Sequence, residues 1–542
     1  GPVMSWPLFF RETLITGSYP LALRLEIIPP ATGEGIAGTV PGWYAASTGE
    51  ADSYATILIR NGYRVNLGSS AVVPVSWQYV EGAWSLTVQI PEGRRRGGRN
   101  YSALASMALR RGAMVRLSIG RVGQPASEYR SLKLGRIYSV KTAGHPRTYR
   151  VEVWDIHTAF RSRMTATSVT SQQRAKLFYG TAGATYAVAS SNYTVGAGTI
   201  NINDTAADRF TFESGGAGVA RVTSNSAGDF LIKYTGIGTT SLTGVVSSGA
   251  FGTTAADANI GNAVVAVCLL EGHPVDILHK ILTSTGLGTN GDFDKYPRSW
   301  GLGVPTEMID VASFNQAKRI LSVTGGDYDF TLLVDAEQAD PSAYIESVLR
   351  PAGIWFCVRE GQIVCRVARD MHTAGLQRQQ GNIFEQDLLG VPVVEWYPTD
   401  QPETYFRALI QNSGADVTFT RSSTSTLPVR EEVVYNLLSV FNGASSAHIT
   451  RVTDDLKGRV GPWAHMLPEY IDVHLRGLRS YAPGDIVAFT CGQAYGRLDG
   501  TRDGYNRRPV MVIREAMDLN TNSTKLTLAT LPISLQEDGG AT

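Results

Sequence analysis

At 542 residues the chain is too long for one hydrophobic core, and about three to five domains are expected. Hydrophobic residues at 43% and charged residues at 18% exclude an intrinsically disordered chain. The 49 Lys and Arg nearly cancel the 48 Asp and Glu, so no global field recruits DNA or an anionic membrane.

No apolar run nears the roughly 20 residues that cross a bilayer as a helix, so no membrane insertion by this chain is expected. The opening Gly1-Pro-Val-Met4 lacks a signal-peptide layout, and Gly1-Pro2 reads as the scar of a cleaved tag. With 57 glycines, turn punctuation is frequent, as in turn-rich β proteins. Four cysteines (Cys268, Cys357, Cys365 and Cys491) lack metal or redox spacing and read as reduced, buried thiols.

In chain order, residues 5–75 alternate short β-like runs, such as Leu21 to Ile27 and Tyr54 to Ile59, with Gly/Pro-rich loops. Gly33-Glu-Gly-Ile-Ala-Gly38 fits the dinucleotide fingerprint by letters alone. Pro29-Pro30 before it and Thr39-Val-Pro41-Gly42 after it prevent the strand–turn–helix that pyrophosphate binding needs. Leu86, Val88 and Ile90 alternate with polar residues and mark a strand with one buried face. The run Arg94-Arg-Arg-Gly-Gly-Arg99 has no interleaved aromatics to stack bases and reads as a solvated loop.

From Gly112 the pattern is three strand-like runs: Val115 to Ile119, Lys133 to Val140 and Tyr149 to Val153. A second version follows Gly484: Ile486 to Thr490, Pro509 to Arg514 and Lys525 to Thr530. Period-2 alternation broken by turn residues predicts a small antiparallel barrel in each place. Between the two, residues 166–265 turn to Ser, Thr, Gly, Ala and Asn. Phe210, Phe212, Phe230, Ile232, Tyr234 and Val245 supply a small core for an inserted all-β module.

Pro274 to Thr283 predicts a helix, with Pro in the first turn and Ile277, Leu278, Ile281 and Leu282 as its apolar face. Residues 326–370 predict a compact α/β unit: a strand from Tyr328 to Val334, a helix opening at Asp340-Pro341, and a hairpin across Glu360-Gly361. A two-residue loop there pairs Cys357 with Val364.

The expected fold class is mainly β with α+β parts, in a multidomain chain with two related small antiparallel β-barrels. The expected division is 5–165 for the N-terminal strands and first barrel, 166–268 for the insert and 269–325 for a helical connector. A small α/β domain takes 326–372, and the second barrel region 383–535.

No catalytic constellation is found in the sequence. There is no Gly-x-Ser-x-Gly elbow, no His-Glu-x-x-His and no phosphate-binding Gly-x-x-x-x-Gly-Lys. Asn290 to Asp294 lacks the glycine and distal Glu of a calcium loop. Asp155-Ile-His157 and Asp472-Val-His474 put an acid beside a His on one strand face, without a nucleophile or metal partner. The residues assign no catalytic, cofactor-binding or metal site, no cofactor and no enzyme activity.

In order, Trp84-Ser-Leu86, Gly112 to Val115, Gly135-Arg-Ile137 and Asp155 resemble the hub proteins of tailed-bacteriophage tail tips and baseplates. Gly272-His-Pro-Val-Asp-Ile277, Gly301-Leu-Gly-Val-Pro305 with Asp310 and Phe314, Pro483-Gly-Asp-Ile-Val487 and Leu526-Thr-Leu528 continue the resemblance. The insert is similar to a small β module of phage proteins at Ile232 to Gly236, Leu242 to Val245, Gly252 to Ala256 and Gly261. It departs at Ser248, where that module has Arg, and has no His near Ala258.

The resemblance implies tail-tube-like barrels and a homotrimer whose six barrels form a pseudo-sixfold ring. It implies a virion location at the tail tip or baseplate, with assembly in the host cytoplasm. The implied partners are tail-tube or distal-tail proteins, the tape-measure protein, and spike or receptor-binding proteins, with phage DNA passing transiently. A lumen that must release DNA is expected to be neutral or acidic, with Arg94 to Arg96 and Arg99 turned away. Two rival readings are a carbohydrate- or receptor-binding protein using Tyr179, Tyr186, Tyr193 and Tyr234 of the insert, and a cell-wall hydrolase.

Overall fold

The computed structural model describes residues 21–28, 55–59, 63–89 except 75, 95–96, 99–100, 114–143, 148–157, 185–203, 218–247 except 227, 253–283, 308–321, 328–334, 348–368, 381–396, 406–411, 417–420, 431–436, 446–465, 468–496 and 504–531. Strands dominate them, in several mostly antiparallel sheets, so the chain is a multidomain, mainly β protein.

The N-terminal part supplies β1 (Leu21–Ile28), β2 (Ala55–Ile59), β3 (Tyr63–Asn66), β4 (Ser70–Val73), β5 (Gln78–Glu81) and β6 (Trp84–Gln89). The arginine run is a short antiparallel ribbon, β7 (Arg95–Arg96) with β8 (Arg99–Asn100), where a plain loop was expected. Next come β9 (Met114–Arg121), β10 (Arg130–Ala143) and β11 (Thr148–Trp154). Seven of these strands form one sheet in the order β2-β1-β9-β10-β11-β6-β3. Alternation sends Leu23, Leu25, Leu86, Val88, Leu117, Ile119, Val151 and Val153 to one buried interior. Among the described residues, Leu478, Met517 and the partly buried Leu519 enter that interior from outside the sheet and its flanking turns.

The insert contains β12 (Thr185–Ala187), β13 (Thr199–Asn201), β14 (Gly218–Thr223), β15 (Asp229–Tyr234), β16 (Gly236–Ile237), β17 (Ser241–Thr243) and β18 (Ala263–Gly272). Phe230, Ile232, Tyr234 and Val245 lie in its core as expected, while Phe210 and Phe212 fall outside the described residues. β18 pairs with β14 through Val267 and then with β19 (Phe330–Val334) from Cys268 onward, tying the insert to the middle of the chain.

That middle holds α1 (Pro274–Thr283), α2 (Val311–Leu321), and the hairpin β20 (Ile354–Arg359) with β21 (Gln362–Val367). Glu360 and Gly361 both take positive φ (52° and 72°), as a two-residue primed turn requires, and Cys357 faces Val364. The helix expected after Asp340-Pro341 is seen at 348–352; its earlier residues are outside the described ones.

The C-terminal part adds β22 (Asn382–Phe384), β23 (Val393–Glu395), β24 (Phe406–Gln411), β25 (Val417–Thr420), β26 (Glu431–Asn436), α3 (Ser446–His465), β27 (Tyr470–Arg476), β28 (Ile486–Cys491), β29 (Tyr505–Asp518) and β30 (Ser523–Thr530). Its main sheet runs β22-β28-β29-β30-β27-β23, with β4 joining on β29. Its interior, including Val473, Leu475, Val487, Phe489, Val510 and Leu526, again comes from its own strands and flanking turns. A larger shared core lies between the two sheets. There Leu134, Ile156, α1, α2, the β20–β21 hairpin and α3 meet Ile486, Met511, Ile513 and Ala529.

The two sheets share one topology. The order β9-β10-β11-β6 is repeated as β28-β29-β30-β27. Both middle strands are 14 residues long. The ladder to the preceding strand stops at the pair Arg136–Met114 in one and Met511–Ile486 in the other, each the seventh residue. The ladder to the following strand skips one residue in each, Tyr138 and Ile513, the ninth position of both. Bulges are specific features of a strand pair, so matched bulges mark a true repeat. The expected closure of each sheet into a barrel is not found among the described residues, where both sheets are open-ended. The outermost strands, β2 and β3 in one and β22 and β23 in the other, have no second neighbour there.

Candidate functional site

The place where the repeats meet is built by β4 and β5, an arm of the N-terminal part. β4 pairs with β5 on one side and with β29 on the other, Ser70 facing Glu515 and Ala71 facing Arg514. At the tip, Trp77 takes positive φ (53°) and turns its ring into the shared core. It stacks on Trp355 at 5.5 Å with a 3° interplanar angle, and meets Trp463 of α3 edge-on at 5.2 Å. Three large rings from three chain segments thus lock the arm, each worth more than its area when so oriented.

Beneath the arm lies a buried ionisable cluster. Ser70 Oγ donates to Glu515 Oε2 at 3.2 Å, and Lys133 Nζ of β10 lies 4.0 Å from the same oxygen. Glu81 at the end of β5 is also buried. Burial pushes its carboxyl up to about 8, opposed by Lys133 and reinforced by Asp155 and Glu515. Glu515 is raised too, mainly by burial. One lysine among carboxylates balances best when at least one acid keeps its proton.

The second repeat's opening Pro483-Gly484-Asp485 has a role of its own. Gly484 has φ +99°, and a Cβ there would lie 2.6 Å from the Trp355 ring. Asp485 Oδ1 accepts from Arg366 Nη2 at 2.8 Å, with Arg359 Nε 3.4 Å from Oδ2 and the Ala482 amide donating to Oδ2 at 3.0 Å. All three side chains are largely buried, so the hairpin β20–β21 is bonded to the start of β28 through a satisfied charge. In α3, Arg459 pairs with Asp455 at 2.8 Å, and its guanidinium donates to the Ala352 and Ala368 carbonyls.

In each acid–histidine pair one member has a structural partner. His157 stacks on Phe356 at 4.1 Å, and its Nε2 lies 2.8 Å from the Phe356 carbonyl. Asp472 Oδ1 accepts from Thr527 Oγ1 at 2.6 Å. No group of three or more His, Cys, Asp or Glu among the described residues could hold a metal ion. Cys357, Cys365 and Cys491 are free, buried thiols, and burial raises each. In the insert, Tyr193 and Tyr234 are 2% and 3% exposed, so neither can stack on a sugar. Tyr179 lies outside the described residues.

Outside the second sheet, a groove of about 580 Å³ is lined by Leu389, Val391, Val393, His474, Arg514 and Lys525 among others. Of its lining, Leu389, Val391 and Val393 are largely exposed, and elsewhere Trp396 Nε1 donates to the Tyr495 carbonyl at 3.1 Å. Apolar side chains gathered at a sheet margin mark a protein-contact surface more readily than a small-molecule pocket.

The sequence matches no protein-family profile and no curated protein. Among solved structures it aligns with a tail protein from Neisseria meningitidis MC58 at 9% identity, over 86% of this chain and 97% of that one, with a TM-score of 0.32. A prophage MuSo2 43 kDa tail protein from Shewanella oneidensis aligns at 8% identity over 96% and 100%, with a TM-score of 0.33. A chain from the p2 virion baseplate in its activated conformation aligns at 7% identity over 94% and 98%, with a TM-score of 0.21. Superpositions this loose carry no weight for role, which has to rest on the chain's own strand order.

Proposed function

We propose that this chain is a structural hub of a bacteriophage tail tip or baseplate, acting as an assembly part and not as an enzyme. Three copies form a ring of six similar sheets that caps a sixfold tube and presents threefold symmetry to a spike or fibre. The observation that carries this reading is the register-matched repeat: two sheets with the same strand order and the same bulge position in one chain. Such a chain lets a closed threefold assembly offer six near-equivalent surfaces without six subunits. The tryptophan contacts and the Lys133–Glu515 pair tie the first repeat's arm to the second repeat, a junction such a ring would use. Tape-measure, distal-tail and receptor-binding proteins are the partners of such a ring, and its lumen passes DNA without gripping it. Native mass spectrometry of the purified full chain tests this: three copies are expected, and a twofold assembly overturns it. The burial of Tyr193 and Tyr234 counts against sugar binding by the insert.

A further inference from the structure

The repeats match in strand order, yet their outward faces differ at one margin. Directly paired residues share a face, so Val393, Asp472, Thr527 and Arg514 form one row across β23, β27, β30 and β29. His474, Lys525 and Ala516 form the next row, and both rows line the groove described above. Its wall is a bulge. Leu388 bridges Leu475 and Val393 pairs with Asp472, so the margin carries two more residues than β27 over the same stretch. Leu389, Val391 and Val393 on that margin are 46%, 67% and 65% exposed. In the first repeat β3 holds the place of β23. It pairs with β6 without a break from Tyr63–Val88 to Asn66–Ser85, and puts Asn66 where Val393 stands. The charges differ as well. Glu152 of the first repeat lies 3.8 Å from Lys141 Nζ and 3.3 Å from Arg150 Nε, holding both cations. Thr527 occupies its place in the second repeat, and the row's acid, Asp472, accepts from Thr527 at 2.6 Å. Glu515 lies buried below with Ser70 and Lys133, and Asp518, past the groove's end, accepts from the Asn520 and Thr521 amides.

We propose that this groove takes an extended acidic segment of a partner protein, with apolar side chains against Leu389, Val391 and Val393 and carboxylates at Arg514 and Lys525. Charge complementarity selects the occupant: the cations Arg514 and Lys525 on the floor stand against one exposed acid already bonded within the sheet. Arg514 and Lys525 are diagonal cross-strand neighbours, about 7–8 Å apart. Carboxylates two residues apart on an extended segment are separated by about 6.6 Å and reach both. The floor spans four strand spacings from β23 to β4, about 19 Å, the length of about six extended residues. Apolar side chains at one end of such a segment meet the bulge, and its acidic part lies over β30 and β29. Among the described residues only the second repeat carries this wall. In a ring the groove recurs at every other sheet and gives a threefold partner three equal sites; that count rests on the ring reading, the groove itself on one chain.

Fluorescence anisotropy with the full-length chain tests it, using two labelled heptapeptides: Leu-Leu-Ser-Glu-Ser-Glu-Ser and the same peptide with Lys for both Glu. The acidic peptide is expected to bind, and its lysine counterpart about tenfold more weakly or worse. Lys525→Glu is expected to reverse that preference, and Val391→Asp to weaken the acidic peptide by a similar factor. Both positions are exposed, and an unchanged circular dichroism spectrum checks each fold. Arg150→Glu, at the matching register of the first repeat, is expected to leave binding unchanged. Equal binding of the two peptides, no binding of the acidic one, or equal losses from Arg150→Glu and Lys525→Glu overturns the site. If Val391→Asp instead dissociates assembled chains and leaves peptide binding intact, the occupant is a second copy and the proposal fails. Sedimentation separates the two readings. A monomeric chain that binds the peptide sinks the ring and keeps the groove, and a trimer that does not bind it sinks the groove alone.

Discussion

Glu81→Gln separates the buried cluster under the arm from a merely packed one. In the native state the Glu81 carboxyl is raised from its ordinary 4.5 to about 8, first by burial and then by Asp155 and Glu515. The sign follows from proton counting. Between pH 4.5 and 8 the folded chain holds a proton that the unfolded chain has released, so stability is full below about 4.5 and falls as pH rises. Each pH unit in that window is worth ~1.4 kcal/mol. Going from pH 5.5 to 7.5 therefore costs the wild type ~3 kcal/mol through this group, and the Gln variant nothing through it. The assay is denaturant unfolding at both pH values, followed by Trp fluorescence, since Trp77, Trp355 and Trp463 surround the arm's tip. With the glutamine amide standing in for the protonated carboxyl, the variant is expected to exceed the wild type by ~1.4 kcal/mol at pH 5.5 and by ~4 kcal/mol at pH 7.5. Equal pH slopes for the two proteins refute the reasoning.

His273 gives the opposite slope. The Val275 amide donates to its Nδ1 at 3.2 Å, capping α1, and burial lowers the ring to about 4. Its contribution is present above the ordinary 6.5 and is lost as pH falls towards 4, ~3 kcal/mol in all; His273→Asn, which can still cap, should flatten acid unfolding in that range. Asp485→Ala leaves Arg366 buried without its partner and is expected to cost ~3–5 kcal/mol in denaturant melts. Replacing both, with Arg366→Met and Asp485→Leu, should recover much of that loss. Gly484→Ala, at φ +99° against the Trp355 ring, is expected to lower stability by about 2 kcal/mol or more, read as a lower denaturant midpoint. A glycan array probed with the full-length chain is expected to show no binding through the insert, and zymography on peptidoglycan no clearing band.

Local chemistry made part of this fold legible. Pro274 in a first turn and Glu360-Gly361 in a two-residue loop located a helix and a hairpin, down to the pairing of Cys357 with Val364. Strand runs separated by turn residues after Gly112 and Gly484 revealed the repeat, although β28 buries both faces, Ile486 in the shared core and Val487 and Phe489 in its own sheet's. The arm was not legible. Ser70 and Glu515 are separated by 445 positions, and nothing local to either says they meet. Glu81 and Lys133 read as ordinary strand charges until the fold buries them. α3 was not read from the sequence. The spacing of Ile449, Val452, Leu456 and Trp463, all buried, was the signal available. Barrel closure was inferred from alternation, which fixes the face of a strand but not whether the sheet's ends meet.

End-on projection images of the purified assembly test the central claim most directly. A threefold particle with six lobes of nearly equal size, alternating between the two repeats, is predicted. A particle with any other symmetry, or three large lobes with no internal division, contradicts it.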